Sequence, residues 1–171
     1  GGCIVFHDKV LYEKIKLLRS FGHVNDDYFS IGINGKNSEF HAVMGLTNLP
    51  HLPEIIESRK KACEKYDSLL PWDKLSKPSH TSSLVYNYAY YPVVFQSEEL
   101  LLATMNALKV EDILPRRYFY PSLNQLSYLE GTQSCPISES LSIRVLSLPL
   151  YANMEMEVVE KVAQIINQTL D

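Results

Sequence analysis

The chain has 171 residues, of which 46% are hydrophobic and 21% are charged, close to the average of folded domains. This composition excludes a disordered or fibrous protein, and a chain of this length can bury a core without disulfides or a structural metal. Sixteen basic and twenty acidic residues give a net charge of −4, so the sequence lacks the basic excess typical of nucleic-acid binding. No apolar stretch reaches the roughly 18 residues of a membrane span.

The cysteine and histidine content gives two further expectations. Cys3, Cys63 and Cys135 are far apart in the sequence; three cysteines cannot all pair, and no CxxC spacing occurs, which favours reduced thiols and a cytoplasmic protein. The five histidines do not show the spacing of metal ligands, so we expect no metal site.

The first third of the chain predicts a strand, a helix and a long polar loop. Residues 3–6 form a short apolar run typical of a strand, and residues 10–20 show helical periodicity. The loop over 21–35 is rich in Gly, Asn and Asp, and loops of this length are often functional. Asn37 or Ser38 is the expected N-cap of the helix that follows.

Two prolines separate this helix from a longer one. Pro50 ends the first, and Pro53 suits the opening turn of the second, which we expect to end near position 70. Arg59 falls on the apolar stripe of the second helix, so its stem is expected to pack while its guanidinium reaches an anion. The stripe itself consists of Ile55, Ala62, Tyr66 and Leu69.

The remainder predicts strands alternating with helices. Residues 86–95 form the best strand candidate, with Pro92 favouring an edge position, and Ser97 is the expected N-cap of the next helix. Further predicted elements are strands over 113–119 and 146–150, a short helix after Pro136, and a final helix over 155–169, which buries Val158, Val162, Ile165 and Ile166. This order indicates an α/β or α+β fold with helices packed on a small mixed or antiparallel sheet.

Two polar loops are candidates for binding. In the segment Gly32-Ile-Asn-Gly35, the Asn34 amide and the start of the following helix can hold a phosphate, although an ordinary turn explains the same residues. In the segment Arg116-Arg-Tyr-Phe-Tyr120, two guanidiniums beside three aromatic rings suit an anionic, ring-bearing ligand. The alternative there is a strand end with solvated arginines and buried tyrosines. No complete catalytic set is present.

These loops also carry a family resemblance. The segment from Gly32 to Leu49 resembles the Gly-x-Asn-x-(Arg/Lys)-Met-x-Glu-x-Gln-Ala-Ala-x-Gly-x-x-Gln-Leu signature of the DegT/DnrJ-type sugar aminotransferases. Other segments agree with that family in the same order. They are Gly1 to Val5 with Leu17 to Gly22, Arg59 to Tyr66, Arg116 to Pro121, and Leu146 to Tyr151.

The resemblance implies a pyridoxal-phosphate enzyme of the aspartate aminotransferase fold, which is fold type I. Residues 1–49 then correspond to the tail end of the large cofactor-binding domain, and residues 50–171 to the C-terminal small domain. In the family, the lysine that forms a Schiff base with the cofactor lies in a Ser-x-x-x-Lys segment ahead of the Gly-Gly, and no such segment occurs here. The resemblance therefore implies a C-terminal fragment that has no catalytic residue, does not bind the cofactor by itself and is inactive alone.

Five positions correspond to binding positions of the family, and two of them carry a different residue. Asn34 matches the asparagine that reaches the cofactor phosphate of the neighbouring subunit, which implies a homodimer with shared active sites. Lys36 stands where many members have arginine and keeps the positive charge without the bidentate fork. Arg116, Tyr120 and Asn124 lie in the loop that faces the sugar, and Asn124 replaces a frequent histidine, which removes a titratable group.

The implied reaction transfers an amino group from glutamate to a nucleotide-linked keto-deoxy sugar, in the synthesis of amino sugars for polysaccharide, O-antigen or antibiotics. The two loops look most like members acting on C4 of a 4-keto-6-deoxy sugar such as dTDP-4-keto-6-deoxyglucose. Two alternatives remain open: a non-catalytic binding module of the same fold, and a sugar dehydratase of the same family with histidine in place of the lysine. Neither a nucleic acid nor a membrane is an expected partner.

Overall fold

The computed structural model describes residues 2–131 and 133–171, which divide into two compact units. Unit 1 ends at Leu52 and unit 2 begins at Pro53, whereas the sequence analysis places a domain boundary between positions 49 and 50. The correspondence of these units to a large and a small domain stays a prediction.

Unit 1 begins with helix α1, Lys9–Leu18. The Asp8 carboxylate caps it by accepting a hydrogen bond from the Val10 N–H at 2.7 Å, since the first turn of a helix has N–H groups without helical partners. The predicted strand over 3–6 is wrong. Among the described residues no strand pairs with this segment, and an extended segment needs a hydrogen-bonded neighbour to become a strand.

A small hairpin organises the polar loop after α1. Strand β1, His23–Val24, pairs antiparallel with β2, Asp27–Tyr28. Asn25, in the turn between them, has φ of +51°, a left-handed conformation that asparagine tolerates better than most residues. The loop is therefore folded around a turn of its own.

Helix α2, Glu39–Asn48, follows the loop, with Ser38 as its N-cap. The Ser38 hydroxyl accepts a hydrogen bond from the His41 N–H at 3.4 Å. None of the residues of α2 is buried. A 3₁₀ turn, Leu49–His51, then leads to the next helix.

Unit 2 contains the remaining helices and a two-stranded antiparallel sheet. Its elements are α3, Leu52–Leu69; β3, Tyr91–Val94; α4, Glu98–Val110; α5, Pro136–Ser142; β4, Val145–Leu148; and α6, Met156–Leu170. Helix α3 starts at the last residue of unit 1. In the sheet, Val93 lies opposite Leu146, and both side chains are fully buried.

The core of unit 2 lies between the sheet and helices α3, α4 and α6. Its fully buried side chains are Ala62 and Tyr66 from α3, Leu101, Thr104 and Leu108 from α4, and Val159, Val162 and Ile166 from α6. The predicted stripe of α6 is therefore shifted, because Val159 and Ala163 are buried while Val158 and Ile165 are only partly so. The Arg59 Nε on α3 is buried and has no hydrogen-bond partner among the described residues.

Two predicted strands are shorter than expected or absent. Of residues 86–95, only Tyr91–Val94 forms a strand; Tyr88 has φ of +49°, which a strand backbone does not adopt. Residues 113–119 form no strand, and Arg116 alone pairs with Ser147 as an isolated bridge. No helix in the described part of the chain is long and apolar enough to cross a membrane.

Replacement of a buried leucine in α4 tests this core. Leu101→Ala should lower the free energy of unfolding by about 2–5 kcal/mol, because the substitution leaves a cavity. Leu102→Ala is the matched control: this neighbour is 42% exposed and should cost less than about 1 kcal/mol. Urea unfolding followed by circular dichroism measures both, and equal losses would contradict the burial described here.

Candidate functional site

The two predicted binding loops lie in different units. In unit 1, the backbone of Asn34 is fixed against the end of α1 through an antiparallel bridge with Ser20. The N–H groups of the residues on either side of Asn34 donate hydrogen bonds to the carbonyls of Leu18 and Arg19, each at 2.8 Å. The position of Asn34 is therefore set by backbone pairing.

Glycine is required at two places in this loop, because backbone packs directly on backbone. A Cβ at Gly32 would lie 2.3 Å from the Gly22 nitrogen and 2.5 Å from the Phe21 carbonyl carbon. Gly22 has φ of +75°, and a Cβ there would lie 1.9 Å from the Ser30 carbonyl oxygen. No side chain fits at either distance, so the two glycines determine how closely the loop approaches α1.

The side chains of Asn34 and Lys36 are exposed at this loop. The Lys36 Nζ lies 5.2 Å from the centre of the Phe21 ring, in the range of a cation–π contact. Within the part of the chain that the structure describes, the side-chain amide of Asn34 has no hydrogen bond. An amide and an ammonium group, both of which donate hydrogen bonds, thus stand two residues apart on the surface, and both suit a phosphate.

An alanine at Gly32 should disrupt this loop. Gly32→Ala should make hydrogen exchange at the Ile33 and Gly35 amides fast, because the added Cβ forces the loop away from α1. Gly45→Ala is the control: its Cβ meets nothing within 4 Å, and alanine favours the helix by about 1 kcal/mol. Protection of these amides that survives in Gly32→Ala would show that the close approach is not needed.

In unit 2, the two adjacent arginines of the second loop have different surroundings. Arg116 is exposed, and its Nη1 donates a hydrogen bond to the Tyr118 hydroxyl at 2.7 Å. The side chain of Arg117 is only 15% exposed. Its Nη2 donates to the Glu98 carboxylate at 2.7 Å and to the Ile143 carbonyl at 3.2 Å.

The ring of Tyr120 stacks on Arg117, the second of these arginines. The guanidinium carbon of Arg117 is 3.6 Å from the centre of the Tyr120 ring, a close cation–π stack. Tyr120 itself remains 50% exposed. The structure therefore brings Tyr120 to the surface on a guanidinium support.

Asn124 is held inside the same loop by three hydrogen bonds. Its amide nitrogen donates to the Glu139 carboxylate at 2.7 Å and to the Gln133 carbonyl at 3.1 Å. Its amide oxygen accepts from the Ser122 hydroxyl at 2.6 Å. Both ends of this side chain are thus engaged within the protein, and a role in substrate binding stays a prediction.

Glu139 and Glu98 are functional candidates that the sequence analysis did not identify. Glu139 also accepts a hydrogen bond from the Cys135 N–H at 2.7 Å. The bonds from Cys135 and Asn124 stabilise the ionised carboxylate and lower the pKa of Glu139 below its usual value. An acidic residue in the first turn of α5 is the sequence signal for this contact. Glu98 shows the same signal in α4.

A cavity of about 730 Å³ lies beside this loop. Its walls are mainly apolar and include Phe119, Leu123, Ile137 and Leu141, with Ser122 and Ser138 among the polar side chains. The two serine hydroxyls lie 2.7 Å apart. Among the described residues, no group of three or more His, Cys, Asp or Glu side chains could bind a metal ion.

The pKa of Glu139 gives a pH prediction. Because this pKa is lowered on folding, the hydrogen bond to Asn124 should be complete above the ordinary glutamate value of about 4.3 and be lost as the pH falls through the lower folded value. The Asn124 side-chain amide signals in NMR spectra should shift over that same acidic range. In Glu139→Gln this titration should vanish; its persistence would assign it to another group.

The chain belongs to the DegT/DnrJ/EryC1/StrS aminotransferase family, whose sequence profile matches residues 1–167. A dTDP-4-amino-4,6-dideoxy-D-glucose transaminase from Shigella dysenteriae is 31% identical over 175 residues, which cover 98% of this chain and 48% of that protein. A UDP-4-amino-4,6-dideoxy-N-acetyl-beta-L-altrosamine transaminase from Helicobacter pylori is 27% identical over 184 residues. The aligned region covers 100% of this chain and 48% of that transaminase. The chain thus spans about half the length of the curated relatives it matches.

A solved structure agrees with this family assignment. DesI, determined in the presence of its TDP-sugar product, superimposes with a TM-score of 0.83 at 27% identity, over 96% of this chain and 44% of DesI. The aminotransferase TlmJ from Streptoalloteichus hindustanus has a TM-score of 0.87 at 24% identity, over 96% of this chain and 46% of TlmJ, and supports the fold alone. The family and the fold class predicted from the sequence are confirmed.

Proposed function

We propose that this chain forms the C-terminal part of a pyridoxal-phosphate-dependent aminotransferase that moves an amino group from glutamate to a nucleotide-linked keto sugar. The observation that carries the proposal is the match of nearly the whole chain to nucleotide-sugar transaminases. The exposed loops of the two units add side chains that suit the binding of a phosphate and of a nucleotide sugar. Pyridoxal phosphate, when bound, supplies the electron sink for amino-group transfer.

The loop of unit 1 fits the phosphate of that cofactor. A phosphate presents several acceptor oxygens and negative charge, and the Asn34 amide and the Lys36 ammonium are exposed donors on a loop fixed by backbone pairing. Because the backbone around Asn34 is fixed, it needs no further ordering when phosphate binds, and only the side chains must be ordered. We therefore assign Asn34 to the cofactor phosphate and Lys36 to the substrate side of the same anionic region.

The loop of unit 2 fits the nucleotide sugar. Arg116 is an exposed guanidinium that can pair with the diphosphate through two hydrogen bonds. Tyr120 presents a half-exposed ring and hydroxyl, which suit a sugar face and its hydroxyl groups. The names of the relatives favour a dTDP-linked or UDP-linked 4-keto-6-deoxy sugar, so amination at C4 is the specific reaction proposed.

A homodimer with shared active sites is part of this proposal. Helix α2 has no buried residue within unit 1 and exposes Phe40, Val43, Met44 and Leu46. Exposed apolar faces of this kind are typical of interaction surfaces, and a second copy is the occupant that the family resemblance implies. A monomer in sedimentation of the whole protein would contradict this. We also propose a cytoplasmic location, as the sequence analysis expects from the spacing of Cys3, Cys63 and Cys135.

The test uses the protein translated from the complete reading frame that encodes this chain. Supplied with pyridoxal phosphate, glutamate and dTDP-4-keto-6-deoxyglucose, it should form one equivalent each of amino sugar and 2-oxoglutarate, measured by mass spectrometry. Asn34→Ala should raise the dissociation constant for the cofactor about tenfold or more, since it removes a hydrogen bond to a charged group.

Asn37→Ala is the matched control, because Asn37 lies on the same loop and Ser38, not Asn37, caps α2. The Asn37→Ala protein should bind the cofactor with the same affinity as the unsubstituted protein. Absence of an amino sugar with every nucleotide keto sugar tried would refute the proposed reaction. Release of the sugar oxygen without amine formation would instead support the dehydratase.

A further inference from the structure

We propose that Glu98 and Arg117 form a clamp that positions the Tyr120 ring for the nucleotide sugar, and that of the two adjacent arginines only Arg116 is available to the substrate's phosphates. This inference rests on the proposed function, because it assigns roles at the same substrate site. Arg117 and Glu98 are then positioning residues: they do not touch the substrate and act on it through Tyr120.

Glu98 is the fixed end of the clamp. It is the first residue of α4, and the N-cap hydroxyl of Ser97 accepts a hydrogen bond from the Leu100 N–H at 3.3 Å. A carboxylate in the first turn is also favoured by the helix dipole. The carboxylate that accepts from Arg117 is therefore attached to a well-defined helix end.

The ion pair removes Arg117 from competition for phosphate. The side chains of Arg117 and Glu98 are 15% and 32% exposed, so the pair is partly shielded from water and a phosphate would have to displace the carboxylate. Arg116, by contrast, is exposed, and its guanidinium donates to a tyrosine hydroxyl rather than to a carboxylate. The guanidinium free to meet a diphosphate is thus that of Arg116.

The orientation of the Arg117 guanidinium depends on Glu98. Both hydrogen bonds of the guanidinium come from Nη2, and the Nε is buried without a partner in the described part of the chain. The guanidinium carbon also lies 3.6 Å from the centre of the Tyr120 ring. Loss of the Glu98 charge should therefore loosen the support beneath Tyr120.

The test compares Glu98→Gln and Arg117→Lys in the active whole protein. We expect each to raise KM for the nucleotide sugar about tenfold, since misplacement of a binding group weakens substrate positioning, while kcat stays within about twofold. The double variant should show a KM close to that of the single variants, because the two residues act as one unit.

A direct role of Arg117 in phosphate binding predicts different changes in KM. If Arg117 bound phosphate directly, Glu98→Gln would release its guanidinium and lower KM, and Arg117→Lys would keep the charge and largely keep KM. Either result in an active protein overturns the clamp. An unsubstituted protein that forms no amino sugar overturns the proposed function, and with it the role assigned to the clamp.

Two further measurements separate positioning from folding. Glu99→Gln removes the neighbouring acid of the same helix turn and should leave KM unchanged, because among the described residues Arg117 pairs with Glu98 and not with Glu99. In NMR spectra of the unsubstituted protein, the Arg117 side chain should show nuclear Overhauser contacts to the Tyr120 ring. Their absence would overturn the proposal even if both substituted proteins failed to fold.

Discussion

The site loop of unit 2 depends on one backbone interaction, the exchange of two hydrogen bonds between Arg116 and Ser147. The Arg116 N–H donates to the Ser147 carbonyl at 3.2 Å, and the Ser147 N–H donates back at 2.8 Å. Ser147 lies in β4, where its neighbour Leu146 is fully buried opposite Val93 of β3. Because β4 is anchored in the core, the loop that carries the candidate substrate residues starts from a rigid edge, and the arrangement of Arg117 and Tyr120 beyond it can be specific.

In unit 1, glycines fix the position of the candidate binding loop. The apolar side chains of this loop are exposed rather than buried; Ile31 and Ile33 are examples. Direct contact between backbones takes the place of a core, through hydrogen bonds to the end of α1 and through glycines that leave no room for a Cβ. Such a loop can present an amide at a defined point without covering it, which is the requirement for binding a phosphate.

The arginine pair shows how far the sequence reaches into the candidate site. Two consecutive arginines beside aromatic residues identify an anion-binding loop, but they do not tell which guanidinium is free. That distinction comes from Glu98, which is 19 positions away in the sequence, just as the contact of Asn124 with Glu139 spans 15 positions. Each carboxylate lies in the first turn of its helix, but that signal does not identify a distant partner, so only the folded chain shows that it belongs to the site.

The sequence by itself determined the family, the helices and several of their starting points. Ser97 was correctly expected as an N-cap, and Ser38 was one of the two candidates at the start of α2, because a cap bonds to an N–H only two or three residues away. Tertiary structure decided the strands, since residues 3–6 and 113–119 have β-like composition but lack a neighbouring strand along their length. It also decided which polar side chains are free and which are neutralised. The physical reason is the same in both cases: strand pairing and side-chain ion pairs join residues that are distant in the chain, and their geometry exists only after folding.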